Sequence, residues 1–95
     1  MKMLEDFGFD KSDIEEYENN TPSKMKELII NNLDLVRENL KYISSLGIDT
    51  YKEIFINYPD KFLLDNSVFV EMFSKYETNE LIEKLNANYK LIEYL

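Results

Sequence analysis

The sequence predicts an all-α fold from three features: very few turn residues, a long apolar stripe with helical spacing, and glycine stop signals after predicted helices. Only two glycines and two prolines occur among the 95 residues, too few for the turns of an all-β fold. With 44% apolar and 32% charged residues, the composition is typical of a globular chain and not of a disordered one. We therefore expect a single helical domain over residues 1–95, containing about six to eight short helices.

The longest periodic segment covers approximately residues 21–46. Thr21 and Pro22 suit the N-cap and the first helical position, because proline lacks the N–H that would be unpaired there. Gly47 suits a left-handed C-cap. The paired asparagines at 31–32 leave open a division into a short turn and a main helix. The apolar stripe steps by three or four residues through Ile29, Leu33, Val36, Leu40 and Ile43.

The other helices are expected to begin at side chains that accept a hydrogen bond from the first helical turn. They are expected to end at glycine, at asparagine or ahead of proline. This predicts a short N-terminal helix ended by Phe7-Gly8-Phe9, a helix from Asp10 or Ser12 to Asn20, a helix from Asp49 or Thr50 to Asn57, one further turn at 59–64, a helix from Asn66 or Ser67 to Tyr76, and a helix from Thr78 to about Asn88.

An approximate internal repeat relates the two glycine stops. Phe7-Gly8-Phe9-Asp10 aligns with Leu46-Gly47-Ile48-Asp49 at an offset of 39. Repeats over residues 4–42 and 43–76, with a fragment at 77–95, would stack side by side as a short solenoid-like array. The alternative is an irregular helical bundle in which both stops are ordinary helix capping. The further matched positions are Ile14 with Ile54, Pro22 with Pro59, and Met25 with Phe62, followed by a weaker third set at Leu81, Leu85, Tyr89 and Ile92.

The second repeat resembles the repeat of the mitochondrial transcription termination factor family. The resemblance rests on Leu46-Gly47-Ile48, Ile54, Tyr58-Pro59 and Phe62-Leu63. It implies helical repeats that stack into a curved solenoid and bind duplex nucleic acid on its concave face. The net charge of −8 opposes that function, because phosphates repel an acidic surface.

The residue inventory argues against catalysis and cofactor binding. The chain has no cysteine and no histidine, which removes thiolate and imidazole chemistry and the commonest metal ligands. The acidic segment at residues 10–18 lacks the alternating acids and central glycine of a calcium loop. We expect a protein that is not an enzyme and has neither metal nor cofactor. With no apolar h-region at the N-terminus and no apolar run long enough for a membrane span, a cytoplasmic protein without membrane contact is expected.

Two surfaces are candidates for partner binding. Carboxylates cluster near the N-terminus, where the alternative is that they stabilise a helix N-terminus. The aromatic residues are too many to bury together easily in so small a domain, so we expect some of them to be exposed. Tyrosine is favoured at interfaces. The apolar segment at 91–95 would be exposed unless it docks on the chain or on a second copy, which would make a homo-oligomer. The interaction surface predicted from these observations comprises Asp10, Asp13, Glu16, Tyr51, Phe55, Tyr58 and Tyr94.

The leading functional hypothesis is a non-enzymatic protein-interaction module, an adaptor or regulator that binds a basic protein partner through its acidic surface. The alternative is a divergent helical-repeat protein that binds nucleic acid, for which Arg37 and Lys41 lie one turn apart on the long helix. Asp34 and Glu38 stand beside these two cations, so an ion-paired, solvated face explains them more simply. Nucleic-acid binding is therefore the less favoured hypothesis.

Overall fold

The chain is helical throughout, and a computed structural model describes all residues 1–95. Seven α-helices and two 3₁₀-helices occur, without a strand. The all-α prediction is confirmed, and the number of α-helices lies within the predicted range. No helix combines the length and the apolar character needed to cross a membrane. The elements are α1 (Lys2–Asp6), α2 (Lys11–Asn20), α3 (Ser23–Ile30), α4 (Leu33–Ser45), α5 (Tyr51–Asn57), η1 (Pro59–Leu63), α6 (Asn66–Ser74), α7 (Thr78–Ala87) and η2 (Tyr89–Tyr94).

The elements pack in a regular order. Residues 11–45 and residues 51–74 each contain three elements, and elements of the same rank are in contact. The first pair is α2 with α5, the second is α3 with η1, and the third is α4 with α6. The 3₁₀-helix η2 contacts α5 in turn. Three elements, α2, α5 and η2, therefore lie in succession, and we call them the α2–α5–η2 row.

An aromatic chain runs through the core and joins the row to the rest of the fold. The rings of Tyr17 on α2 and Phe55 on α5 stack with centroids 5.3 Å apart. Phe55 meets Phe62 of η1 at 5.2 Å, and Phe62 meets Phe69 of α6 at 5.2 Å. Aromatic pairs at such distances stabilise a core by about 0.5–1.5 kcal/mol each beyond their buried area. All four residues belong to one cluster of 19 buried apolar side chains.

Several helix ends follow the local signals in the sequence. Asp10 caps α2 in a reciprocal arrangement, since its Oδ1 accepts from the Asp13 N–H at 2.8 Å while the Asp10 N–H donates to Asp13 Oδ2 at 3.0 Å. Gly8 and Gly47 have φ angles of 84° and 93°. These left-handed conformations are the ones that glycine adopts without a steric penalty.

The long periodic segment is two helices. It divides at the paired asparagines, and the side chain of Asn32 donates to the Leu28 carbonyl at 2.7 Å. An asparagine amide competes in this way with the backbone for the last carbonyls of a helix. The predicted N-cap at Thr21 is wrong, because Pro22 holds that position and the Thr21 side chain turns into the protein, where it is buried.

Two other boundaries differ from the prediction, by one and by two residues. Helix α6 begins at Asn66, one of the two predicted starts, after an N-cap at Asp65, whereas the N-cap of α7 is Glu77 and Thr78 is its first helical residue. The Glu77 carboxylate accepts from the Asn79 and Glu80 N–H groups at 3.1 and 2.6 Å. Helix α6 ends at Ser74 and not at Tyr76. A longer acidic side chain therefore caps α7 in place of Thr78.

Both glycine turns are held by side chains from later in the chain. The Tyr51 hydroxyl donates to the carbonyl of Phe7, beside Gly8. At the second turn, the Asn86 amide donates to the Gly47 carbonyl at 3.3 Å, and its Oδ1 accepts from the Asp49 N–H at 2.7 Å. The turns are therefore local in sequence and also carry hydrogen bonds from distant residues.

A buried asparagine on α4 organises the connection between η1 and α6. Asn39 is completely buried. Its amide nitrogen donates to the carbonyls of Phe62 and Leu64 at 3.0 and 2.8 Å, and its Oδ1 accepts from Asn66 Nδ2 at 3.1 Å. The Phe62 carbonyl lies away from water, so it needs a donor from the protein, and the partly buried Leu64 carbonyl shares that donor.

Replacing Asn39 by leucine should destabilise the protein by about 2–4 kcal/mol, because the carbonyls of Phe62 and Leu64 would lose their partner in the interior. Urea denaturation at pH 7 measures the change in the free energy of unfolding. Asn57→Leu is the matched control, because Asn57 is exposed and donates only to Glu53 within its own helix. Equal losses for the two variants would contradict a structural role for the buried amide.

Replacing Gly47 by alanine should cost about 1–2 kcal/mol, because an L-residue with a side chain is strained in the left-handed region. The added Cβ would lie 3.9 Å from Ile82 Cδ1, so the space around it is sufficient and the backbone angle alone is tested. Gly47→Asn should lose less stability, since asparagine tolerates this conformation. Thermal denaturation of the three proteins should therefore rank Gly above Asn above Ala, and an alanine variant as stable as the parent would refute the expectation.

Candidate functional site

The seven residues of the predicted interaction surface all fall in the α2–α5–η2 row or at the ends of its elements. Because α5 lies between α2 and η2, residues far apart in the sequence share one part of the fold. Six of the seven are at least partly exposed and one is buried. The carboxylates Asp10, Asp13 and Glu16 are at α2, the aromatic residues Tyr51, Phe55 and Tyr58 are at α5 or directly after it, and Tyr94 ends η2.

Phe55 does not belong to a surface. It is completely buried and its ring contacts those of Phe9, Tyr17 and Phe62, with centroids 5.7, 5.3 and 5.2 Å away. The prediction that this residue is exposed is wrong. It assumed that a small core has too little room for the aromatic side chains, whereas these side chains themselves form much of the core.

Tyr51 has a structural contact that accounts for its half-buried position. Its hydroxyl donates to the Phe7 carbonyl, and its ring meets that of Phe9 edge-on at 6.2 Å. Tyr51 therefore fastens the start of α5 to the turn between α1 and α2. Its exposed edge remains part of the row.

The acidic end of the row carries charge that the protein does not neutralise. The ion pairs of the chain are Lys26 with Glu18, Arg37 with Asp6 and Lys84 with Glu80, at 3.2, 3.6 and 3.0 Å. None of them involves the carboxylates at residues 10–16. Asp10 and Asp13 bind backbone N–H groups of the helix N-terminus, whereas Glu15 and Glu16 are exposed and make no hydrogen bond.

No group of three or more carboxylates lies close enough together to hold a metal ion. At the acidic end of the row, two carboxylates cap the helix and two are exposed to solvent. This arrangement leaves negative charge at the surface of α2.

The other end of the row joins Tyr58 to Glu93. The Tyr58 hydroxyl donates to Glu93 Oε1 at 2.6 Å, across 35 residues of sequence. This hydrogen bond, followed by desolvation and by the neighbouring Glu93, Tyr89 and Tyr94, raises the pKa of Tyr58 to about 12. Tyr94 is 78% exposed. The row therefore ends in exposed or half-buried tyrosines around one carboxylate.

The apolar segment after α7 packs mainly on the chain itself. Ile92 is completely buried, and Leu91 and Leu95 are half-buried against the core cluster. Their intramolecular packing weakens the basis for predicting a homo-oligomer through this segment. Tyr94 is the one aliphatic or aromatic side chain of residues 91–95 that stays exposed.

A second site, not anticipated from the sequence, lies between α2 and α3. Tyr17 is completely buried, and neither its hydroxyl nor that of Thr21 has a hydrogen-bond partner. Burial, and to a lesser degree the charge of Glu18, raises the pKa of Tyr17 to about 12. The pattern of apolar and polar residues in α2 does not predict that the Tyr17 hydroxyl is buried without a hydrogen-bond partner. Beside it is a cleft of about 350 Å³ lined by Met1, Tyr17, Glu18, Ser23, Lys26, Glu27 and Ile30.

No protein-family model, curated protein or solved structure matches this chain. The resemblance of residues 46–63 to mitochondrial transcription termination factor repeats thus rests on those residues alone and stays a prediction.

Replacing Tyr17 by phenylalanine should stabilise the protein at pH 7 by about 1 kcal/mol, because a buried hydroxyl without a partner is removed. The advantage should grow above pH 10. The folded state holds the pKa of Tyr17 near 12, above its ordinary value of 10.0, so in the parent protein stability is lost as the pH rises from 10 through 12.

Urea denaturation at pH 7, 10 and 11 measures both effects. Tyr76→Phe is the matched control, because Tyr76 is 43% exposed and should lose its hydroxyl at little cost. A Tyr17→Phe variant less stable than the parent at pH 7 would show that the hydroxyl is satisfied in solution.

Proposed function

We propose that this protein is a non-enzymatic interaction module, an adaptor or regulator, that binds a basic protein partner through the α2–α5–η2 row. The observation that carries the proposal is the set of carboxylates on α2 that no cation of the chain neutralises. They lie in the same row as exposed tyrosine. The lack of cysteine agrees with a cytoplasmic location for such a module.

The charge of the row favours a basic partner for a physical reason. Unpaired carboxylates on one surface produce a negative potential that accelerates encounter with a positive surface and disfavours acidic partners. Glu15 and Glu16 can pair with a partner's cations without losing an internal contact, since neither makes one. A partner whose basic surface otherwise holds phosphate is a suitable target.

The basic residues support a protein partner over a nucleic acid. Of the two cations named for the nucleic-acid alternative, Arg37 pairs with Asp6 at 3.6 Å, and Lys41 is left as a single exposed cation. The net charge is −8, and binding to a phosphate backbone depends on cations that displace its counterions. We therefore advance the protein-interaction function alone.

Repeated stacking is the second part of the proposal. The contacts of α2 with α5, α3 with η1 and α4 with α6 are those expected when one helical unit packs on the next. Glycine with positive φ precedes both α2 and α5.

Charge reversal on α2 tests the function. A tagged protein is used to capture partners from its native lysate with and without nuclease, and the Glu15→Lys/Glu16→Lys variant is compared with the parent. The parent should retain a basic protein that the variant loses, because four charge units change on the binding surface. Glu38→Lys/Glu71→Lys makes the same charge change at exposed positions of α4 and α6 and should keep the partner.

Binding of the purified partner should also weaken as salt rises, as expected for charged surfaces. Partners that disappear with nuclease, or that both charge-reversed variants retain equally, would refute the proposed surface.

A further inference from the structure

We propose that the η2 end of the row is a binding site for an arginine side chain of the basic partner, formed by Tyr58, Glu93 and Tyr94. The proposal rests on the function proposed above and specifies the group that is recognised. It depends on a carboxylate held in position, on aromatic surface beside it, and on the absence of a competing cation.

The carboxylate of Glu93 is oriented but not neutralised. Its Oε1 accepts the Tyr58 hydroxyl at 2.6 Å, and Oε2 has no hydrogen-bond partner within the chain. Lys90 lies on the same 3₁₀-helix, yet neither Lys90 nor any other cation of the chain pairs with Glu93. A neutral hydroxyl donor positions a carboxylate without cancelling its charge, so Oε2 is available to an incoming donor.

Aromatic side chains adjoin this carboxylate in space and in sequence. Tyr58 is half-buried and donates to it directly. Tyr94 follows Glu93 in the sequence and is 78% exposed, the largest exposed fraction among the exposed large hydrophobic residues. The face of a tyrosine ring attracts cations through its quadrupole, so the rings and the carboxylate favour the same kind of ligand.

Arginine fits this combination better than lysine. Its guanidinium is planar, so it can stack on a tyrosine ring while its N–H groups donate to a carboxylate oxygen. A lysine ammonium is more strongly hydrated and makes a single point contact. An arginine of the partner would therefore satisfy Oε2 and cover the Tyr94 ring.

The site and the acidic surface on α2 belong to one row. Contacts join α2 to α5 and α5 to η2, so the two ends are connected by one packed helix. The carboxylates of α2 can attract a basic partner over a long range, and one arginine of that partner can then bind at η2. The first contact supplies attraction and the second supplies selectivity for the guanidinium.

A hexa-arginine peptide tests the site on the full chain by NMR titration at low ionic strength. Shifts are expected at the amides of Glu93 and Tyr94, with contacts between arginine side-chain protons and the Tyr94 ring. Tyr94→Leu should weaken binding about two- to fivefold, the range of an exposed cation–π contact, whereas Tyr94→Phe should bind as the parent does. Hexa-lysine should bind more weakly than hexa-arginine.

Two controls separate this site from the general acidity of the chain. Tyr76→Leu removes another exposed tyrosine and should leave the affinity unchanged. Glu15→Lys/Glu16→Lys should weaken binding through α2. If it does so while Tyr94→Leu binds as tightly as the parent, the arginine site is overturned and the acidic surface stands. If hexa-arginine does not bind the parent at all, both proposals fail.

Discussion

The buried amide of Asn39 is the constraint on which the middle of the fold depends. The carbonyl of Phe62 in the short 3₁₀-helix η1 is buried, and that of Leu64, directly after η1, is partly buried. One side chain of α4 donates to both and accepts from Asn66 at the start of α6. Three elements are thereby set in one arrangement, with Phe62 directed into the aromatic chain. A buried polar group that is fully paired specifies a single packing more strictly than apolar contacts do.

The aromatic chain links the position of η1 to the packing of α5 on α2. Phe62 contacts Phe55, and Phe55 stacks on Tyr17, so the position of η1 determines how α5 sits against α2. The carboxylates of α2 and Tyr58 at the far end of α5 therefore lie on elements that pack on one another. Side chains on packed helices are held more precisely than side chains on loops.

Local chemistry made much of the fold predictable, whereas long-range pairing did not. The glycine stops at Gly8 and Gly47 and the cap at Asp10 follow from interactions within a few residues, and the structure has them where the sequence placed them. Phe55 was misjudged because burial depends on what the neighbouring elements contribute. The pairing of Tyr58 with Glu93 joins residues 35 positions apart, and no periodicity reports such a contact. The buried amide of Asn39 sits among ordinary polar residues of α4, so its role is invisible until η1 is placed.

The clamps on the glycine turns bear on how the chain loses its structure. Tyr51 donates to the turn at Gly8, and Asn86 bonds to both sides of the turn at Gly47, so each turn is tied to a residue about 40 positions later. Detachment of α7 would remove the hydrogen bonds of Asn86 and with them a constraint on the segment that leads into α5. Opening of the C-terminal helix is thereby coupled to the middle of the chain, as expected for elements that open as one cooperative unit.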